Sequence, residues 1–335
     1  MIQWIEAEIV GRIEEATDAV SLMIRPVVDF AFRPGDHVGI RTRIDGLPLV
    51  RTYTVSDAPR PGEPFRITFR RVPDGRMTED LWRNGVSGRR ISVSRPFAGM
   101  DFSHLPGSNV VFVAGGSGIT PFQSCLEGIA GNTPAVLKLV YVTRSLQECI
   151  FLPKLQQLAR AHAWFKPELF VTRVAATQAP LDGLPVHWRR PHLDDLAERM
   201  IGADRTYCVG PTGLIASARQ AQARAGLSPE RMQTETFVPR VPDECDSGDI
   251  RIEVNGAPAL TTRKDRSLLE ALADSGIHLG SGCGAGLCQT CKVQVVRGQV
   301  RHMETSTLSS AERAKGYCLA CTAVPVSDVA IRTIN

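Results

Sequence analysis

The chain has 335 residues, 43% of them hydrophobic and 22% charged, with 39 Lys and Arg against 35 Asp and Glu for a net charge of +4. At about 150 residues per domain this is globular material for two or three units, which excludes wholesale disorder. The charge is mild and holds no Lys/Arg block, so no nucleic-acid partner is expected. No apolar run approaches the roughly 20 residues of a spanning helix, so no membrane role is expected either.

The N-terminus, MIQWIEAEIVGRIEE, is acidic and alternating where a secretory leader would be basic and then apolar. It points to a soluble, cytoplasmic protein. Through the first hundred residues, alternation in Ile2–Ile13, Ala19–Arg25, His37–Arg41, Val50–Ser56, Phe65–Arg71 and Arg90–Arg95 is cut by turns such as Pro73-Asp-Gly75. Six short strands at that spacing predict an antiparallel β-barrel. From about residue 108 the period changes. Apolar strands at Asn109–Ala114, Val136–Thr143, Glu168–Arg173, Thr206–Val209 and Met232–Phe237 alternate with helical stretches near 120–130, 151–161, 193–200 and 212–225. That is the pattern of a parallel α/β sheet.

Residues 238–250, with two prolines and little apolar content, read as an exposed linker. Beyond it come strands at Ile250–Val254 and Ala257–Thr262, then a helix near 266–275 with Leu268, Leu269 and Leu272 as its buried stripe and Gly276 as its cap. Further short strands end at Ile331–Ile334. The expected domains are therefore 1–104, 105–237 and 251–335.

Five of the nine cysteines, Cys283, Cys288, Cys291, Cys318 and Cys321, crowd into 39 positions. Such clustering in a long chain of cytosolic character points to metal rather than to a disulfide scaffold. Cys283-x4-Cys288-x2-Cys291, followed by a distant cysteine, is the spacing of plant-type [2Fe–2S] sites. Gly282, Gly284 and Gly286 permit the backbone angles that wrap a loop round a cluster, and leave amides free to face its sulfurs. A zinc ribbon from Cys288, Cys291, Cys318 and Cys321 is the competing metal reading. The gap of 26 residues between Cys291 and Cys318 exceeds the usual separation, and Cys283 would go unused. Packed thiols or a redox disulfide are the remaining alternatives.

Two upstream motifs carry further chemistry. In Arg51-Thr-Tyr53-Thr54-Val-Ser56 a guanidinium can pair with phosphate, a ring can stack on a flavin and a hydroxyl can donate to flavin N5, although each is also an ordinary strand residue. Gly115-Gly116-Ser-Gly118-Ile-Thr120-Pro121 follows a strand and opens a helix, with Thr120 as N-cap and Pro121 as first helical residue, where a phosphate is favoured. Pro121 replaces the third glycine of the Rossmann fingerprint. A second turn, Val209-Gly210-Pro211, ends a later strand and is expected at the same crevice.

In this order, and with Glu235-Thr-Phe237 after them, these motifs resemble the ferredoxin–NADP+ reductase superfamily joined to a C-terminal plant-type ferredoxin domain. The likeness covers essentially the whole chain and is greatest to the single-chain reductases of oxygenase systems. The resemblance implies a flavin-binding barrel, an NAD(P)H-binding α/β domain and a β-grasp [2Fe–2S] domain. It implies Cys283, Cys288, Cys291 and Cys321 as cluster ligands, the last in a Leu319-Ala-Cys321…Pro325 context, with Cys318 a packed neighbour. It further implies Arg51 on a flavin phosphate, Tyr53 on the flavin ring, Thr54 near N5, Gly116, Gly118, Thr120 and Pro121 at the flavin and nucleotide, Gly210 and Pro211 at the nicotinamide, and Glu235 and Phe237 near hydride transfer. Thr54 and Glu235 are the expected catalytic pair. Gly75-Arg-Met77-Thr78 resembles the Gly-x-x-Ser turn of FAD members, so FAD is expected, with FMN the alternative. Arg144 and Arg173 follow successive strands and are the candidates for a nucleotide phosphate, in NADH or NADPH.

The function implied is transfer of electrons from NAD(P)H through flavin and cluster to a separate, Rieske-type oxygenase, by a monomeric reductase. A redox-sensing or regulatory flavoprotein is the alternative. From Asp249 onward the chain carries ten Lys/Arg and eight Asp/Glu, a net of +2. A tethered electron carrier needs no strongly acidic field to find its donor.

Overall fold

The computed structural model describes residues 3–44, 47–73, 75–129, 133–173, 181, 183–237, 249–263, 266–280, 284, 286, 289–302 and 308–334. The expected linker lies almost wholly outside these residues, as do Gly282, Cys283 and Cys288.

Alternating side chains in β1 (Trp4–Ala16), β2 (Ala19–Pro26), β3 (His37–Ile44), β4 (Leu47–Thr54), β5 (Phe65–Arg70) and β6 (Arg90–Ser94) build one antiparallel sheet in the order β4-β3-β6-β1-β2-β5. A bridge from Val55 to Ile67 links the two outer strands and closes the sheet on itself. Ile9, Leu22, Ile24, Val38, Ile40, Ile67 and Val93 fill the interior at 0% exposure. One helix in this region, α1 (Arg76–Asn84), was not foreseen. Only Met77 and Leu81, at i and i+4, are buried, and the polar residues around them hide so short a stripe.

The second sheet is parallel throughout, in the order β10-β9-β8-β7-β11-β12. Its strands are β7 (Asn109–Gly115), β8 (Val136–Thr143), β9 (Phe165–Val171), β10 (Val186–His187), β11 (Arg205–Val209) and β12 (Met232–Glu235). Helices α2 (Thr120–Gly128), α3 (Leu152–Ala161), α4 (Leu193–Met200) and α5 (Thr212–Arg224) make the crossovers. Strand β9 begins three residues before its predicted start. Pro167 lies inside it, in a stretch paired with β8 but not covered by β10, where a missing N–H is tolerated. The chain runs β7, β8, β9 to one side and returns to place β11 on the other side of β7. The carboxyl ends of β7 and β11 therefore form the switch point at which such sheets bind ligands.

Barrel and parallel sheet are tied by a buried polar junction. Arg66 on β5 donates to Glu127 of α2 at 2.7 Å, and Lys154 of α3 meets the same carboxylate at 3.1 Å. Asp57 accepts from the Arg66 amide at 3.1 Å, and Ser124 of α2 donates to the Asp57 carbonyl at 2.7 Å. Burial pushes the Asp57 carboxyl up from 3.8 to about 6. The unfolded chain ionises this group near its ordinary value and the folded chain only near 6. Stability is therefore lost as pH rises through that window, and the penalty persists above it. Asp57→Asn is expected to raise the melting temperature relative to wild type more at pH 7 than at pH 4. An equal effect at both pH values in thermal scans would assign the change to something other than ionisation.

The third unit is a mixed sheet, β14-β13-β19-β15-β17, of β13 (Asp249–Val254), β14 (Ala257–Arg263), β15 (Lys292–Arg297), β17 (Tyr317–Leu319) and β19 (Val329–Thr333), with the small pair β16 (Val300–His302) and β18 (Ala323–Pro325) beside it. Helix α6 (Leu268–Asp274) packs on it, and α7 (Ser310–Ala314) precedes β17. Ser267 and Glu270 form a capping box at the start of α6. At its end, Gly276 (φ +79) and Ile277 donate to Ala273 and Leu272, the Schellman arrangement that the glycine foretold. The buried stripe is Leu268, Ala271 and Leu272, while Leu269 is only partly covered. No helix among the described residues is long and apolar enough to cross a membrane.

Candidate functional site

The two glycine turns meet at the switch point. Residues Gly116–Ile119 form a 3-10 turn that runs directly into α2, with Gly116 at φ +56. Thr120 is thus the first residue of α2 rather than its cap, its hydroxyl donating to Ser117 O at 3.0 Å, and Pro121 follows it. A Cβ on Gly118 would stand 2.2 Å from the Val209 carbonyl oxygen. Gly115 and Gly210 approach so closely that a Cβ on Gly210 would lie 3.2 Å from the Gly115 Cα. Tyr141, in the middle of β8, pins the turn by donating to Gly116 O at 3.0 Å while accepting from Ile150 N at 3.1 Å. Pro211 is exposed and caps α5, and the Gly210 amide donates to the Glu235 carbonyl at 3.2 Å.

Strand β4 brings its motif to the same region, but its alternation divides the residues. Arg51 and Tyr53 share one face, with Tyr53 packed at 5.7 Å on Phe69. Thr54 faces inward, 4% exposed, its hydroxyl 3.1 Å from His37 Nδ1. His37 Nε2 is in turn 2.9 Å from Glu235 Oε1, and the other oxygen of Glu235 is buried with no hydrogen-bond partner among the described residues. Such an orphan oxygen fits a ligand bringing an N–H, because an unmet buried acceptor costs about 1–3 kcal/mol. Phe237 packs against the core of the parallel sheet. Ser56, the last cofactor candidate of this strand motif, is fully buried, its hydroxyl shared with Thr68 at 2.7 Å.

Gly75 is the N-cap of α1 and supplies no side-chain acceptor. The amides of Met77 and Thr78 lie in the first turn of the helix, whose N-terminal end suits an anion. Met77 can contribute only backbone, since its side chain is in the barrel core at 2% exposure. Thr78 closes the turn, donating to Gly75 O at 3.0 Å.

At the edge of β8 and β9, the Arg173 amide donates to Arg144 O at 2.8 Å, and the Arg173 side chain is exposed. Arg144 pairs with Glu148 and, at 2.9 Å, with Asp18; Arg70, beside Gly116, pairs with the same two acids at 2.5 and 3.2 Å. The motif pattern did not reveal His37, Tyr141, Arg70, Asp18 or Glu148. Each is a lone residue that belongs to no motif.

In the third unit Cys291 and Cys321 are 3% and 7% exposed. Gly284 and Gly286 have φ of +65 and +77, and the Gly286 amide donates to Cys321 Sγ at 3.2 Å. An amide aimed at sulfur from a left-handed glycine fits a thiolate-bound cluster. Cys318 is fully buried on β17 opposite Val293, and burial pushes its thiol up to about 12. This loop reaches the barrel: a Cβ on Gly284 would lie 3.6 Å from Val50 O, and Arg51 stands 3.8 Å from Glu270 of α6.

Comparison with known proteins agrees with this geometry. Residues 112–220 match the oxidoreductase NAD-binding domain and residues 252–326 the 2Fe-2S iron-sulfur cluster binding domain. The chain is 28% identical over 328 residues to the glycine betaine monooxygenase reductase subunit of Pseudomonas aeruginosa strain UCBPP-PA14, covering 90% of this chain and 87% of that one. It is 29% identical over 348 residues to the ferredoxin reductase component of the 3-ketosteroid-9-alpha-monooxygenase of Mycolicibacterium smegmatis, covering 97% and 95%. Its fold is similar to that of phthalate dioxygenase reductase, with a TM-score of 0.68, 18% identity and 98% of both chains covered. The chain thus joins an oxidoreductase NAD-binding domain to a C-terminal 2Fe-2S iron-sulfur cluster binding domain, and it is similar over nearly its whole length to reductase subunits of oxygenase systems.

Proposed function

We propose that this reductase takes hydride from NADH at the switch point of the parallel sheet and passes single electrons through the cysteine-loop cluster to a separate oxygenase of the Rieske type. The units at 1–104, 105–237 and 251–335 serve as flavin, nucleotide and cluster domains. The observation that carries this reading is the convergence of three parts: the paired glycine turns, strand β4 with Arg51, Tyr53 and Thr54, and the cysteine loop at Val50. A flavin bound there supplies the conversion of a two-electron hydride into the single electrons that a [2Fe–2S] cluster accepts.

Within this reading Arg51 and the first turn of α1 hold phosphate, and the amides of Met77 and Thr78 at the start of that helix favour the pyrophosphate of FAD over the single phosphate of FMN. Tyr53 covers the ring. Gly116, Gly118, Thr120 and Pro121 let the backbone approach the nucleotide closely. Gly210, Pro211 and Phe237 border the nicotinamide. Cys283, Cys288, Cys291 and Cys321 hold the cluster. The protein works as a monomer in the cytoplasm, where thiols stay reduced.

The preference for NADH follows from charge. A 2′-phosphate near Arg144 would find that guanidinium already shared by two carboxylates, Asp18 and Glu148. The visible spectrum, recorded before and after addition of each nucleotide, tests the whole reading. Flavin and iron–sulfur bands that bleach with NADH are expected, with kcat/KM for NADH at least about tenfold above that for NADPH, about 1.4 kcal/mol. A spectrum without a flavin band, or bands that neither nucleotide bleaches, would sink the reading. Coupled turnover with an oxygenase then identifies the partner.

A further inference from the structure

Thr54 belongs to the barrel and Glu235 to the parallel sheet, and one imidazole spans them. His37 opens β3 in register with Thr54 and is 2% exposed. Its Nδ1 is 3.1 Å from Thr54 Oγ1 and its Nε2 2.9 Å from Glu235 Oε1. The ring is also confined by its neighbours. Its backbone exchanges two hydrogen bonds with Phe97, at 2.9 and 3.0 Å, and the two rings lie 5.8 Å apart. Gly99 is so close that a Cβ there would come within 2.6 Å of Nε2. A carboxylate only accepts, so Nε2 carries hydrogen toward Glu235. In the neutral ring Nδ1 is then the acceptor, and the Thr54 hydroxyl must donate to it.

We propose that His37 is a positioning residue for the hydride-transfer site, fixing the Thr54 hydroxyl with one ring nitrogen and the Glu235 carboxylate with the other. The proposal rests on the reading that these two side chains border the flavin and the nicotinamide. It reverses one expectation from sequence. With its hydrogen committed to Nδ1, Thr54 Oγ1 offers lone pairs and accepts from an N–H, where the strand motif implied a donor. Glu235, held through Oε1, keeps Oε2 open for a ligand.

Two variants separate positioning from bulk. His37→Gln places an amide oxygen and an amide N–H at nearly the spacing of the two ring nitrogens, whereas His37→Phe fills the space with neither. With flavin content verified by absorbance, His37→Phe is expected to lower kcat for NADH–ferricyanide turnover about 10- to 100-fold with KM changed less than about threefold, and His37→Gln to restore kcat to within about threefold. A readout independent of turnover is the nitrogen spectrum of 15N-histidine-labelled holoprotein. Nε2 is expected protonated and Nδ1 unprotonated, with the Nδ1 resonance moving in Thr54→Val. A flavin-loaded His37→Phe protein with wild-type kcat, a Gln variant as slow as the Phe variant, or an Nδ1 resonance unmoved by Thr54→Val would each overturn the proposal. If the wild-type protein binds no flavin, the functional reading falls, and the nitrogen spectrum still decides whether His37 bridges the pair.

Discussion

Cys321→Ser is expected to abolish electron delivery to a one-electron protein acceptor while leaving reduction by NADH intact. Cytochrome c reduction should fall by at least about 100-fold, because mutation of even an outer partner of a metal ligand costs about 10- to 100-fold. Ferricyanide, small enough to take electrons at the flavin, should be reduced at a rate within about twofold of wild type. The physical cause is the loss of a thiolate at the position to which the Gly286 amide points, 3.2 Å from Cys321 Sγ. A serine hydroxyl remains protonated at neutral pH and gives iron a poorer, neutral ligand. Cys318→Ala is the matched control. Cys318 is 0% exposed and lies in the core of the third unit, so this change should cost about 1–2 kcal/mol of packing yet keep the cluster bands. If Cys321→Ser retained its iron–sulfur absorbance and Cys318→Ala lost it, the ligand assignment would be exchanged. If both kept cytochrome c reduction, the cluster would not be the exit route.

The parts of the site that could be read in sequence are those in which local spacing carries the chemistry. Cys283-x4-Cys288-x2-Cys291 is a spacing of this local kind, and the match of residues 252–326 to the 2Fe-2S cluster binding domain agrees with the domain it pointed to. The glycine turn after β7 and the one after β11 were equally local. Their meeting was foreseeable because a parallel sheet puts the carboxyl ends of its strands on one edge. Periodicity yielded the barrel and the parallel sheet for the same reason, since each strand repeats its own burial.

What stayed hidden is long-range. His37 and Glu235 are far apart in sequence, and a single histidine at the start of a strand is no motif. Tyr141 sits in an apolar run, where its hydroxyl looked like one more core residue. Arg70, Arg144, Asp18 and Glu148 come from separate segments, and only folding reveals that Arg144 is already paired. The direction of the Thr54 hydroxyl depends on an imidazole nitrogen that no pattern on β4 could report.

Gly118→Ala is expected to be the most damaging single methyl group in the nucleotide domain. Its Cβ would stand 2.2 Å from the Val209 carbonyl oxygen, 2.7 Å from the carbonyl carbon and 3.1 Å from Val209 Cγ1. Those atoms are backbone and strand, and β11 is held there by its parallel ladder to β7 and to β12. Strand β11 cannot retreat without opening the edge at which the two turns meet, so strain of about 1–3 kcal/mol is expected. In a domain of this size that is a drop of roughly 2–8 °C or more in its melting temperature. The KM for NADH should rise at least about tenfold, because a displacement of about 1 Å at a positioning element costs up to about 100-fold. Gly213→Ala makes the comparison: Gly213 lies within α5, and a Cβ there would meet nothing within 4 Å. Helix propensity then favours alanine by about 0.5–1 kcal/mol, so stability should rise slightly. Thermal scans and NADH titration of the two variants decide the matter. Equal behaviour of Gly118→Ala and Gly213→Ala would mean that the contact of the first turn with β11 does not shape the nucleotide site.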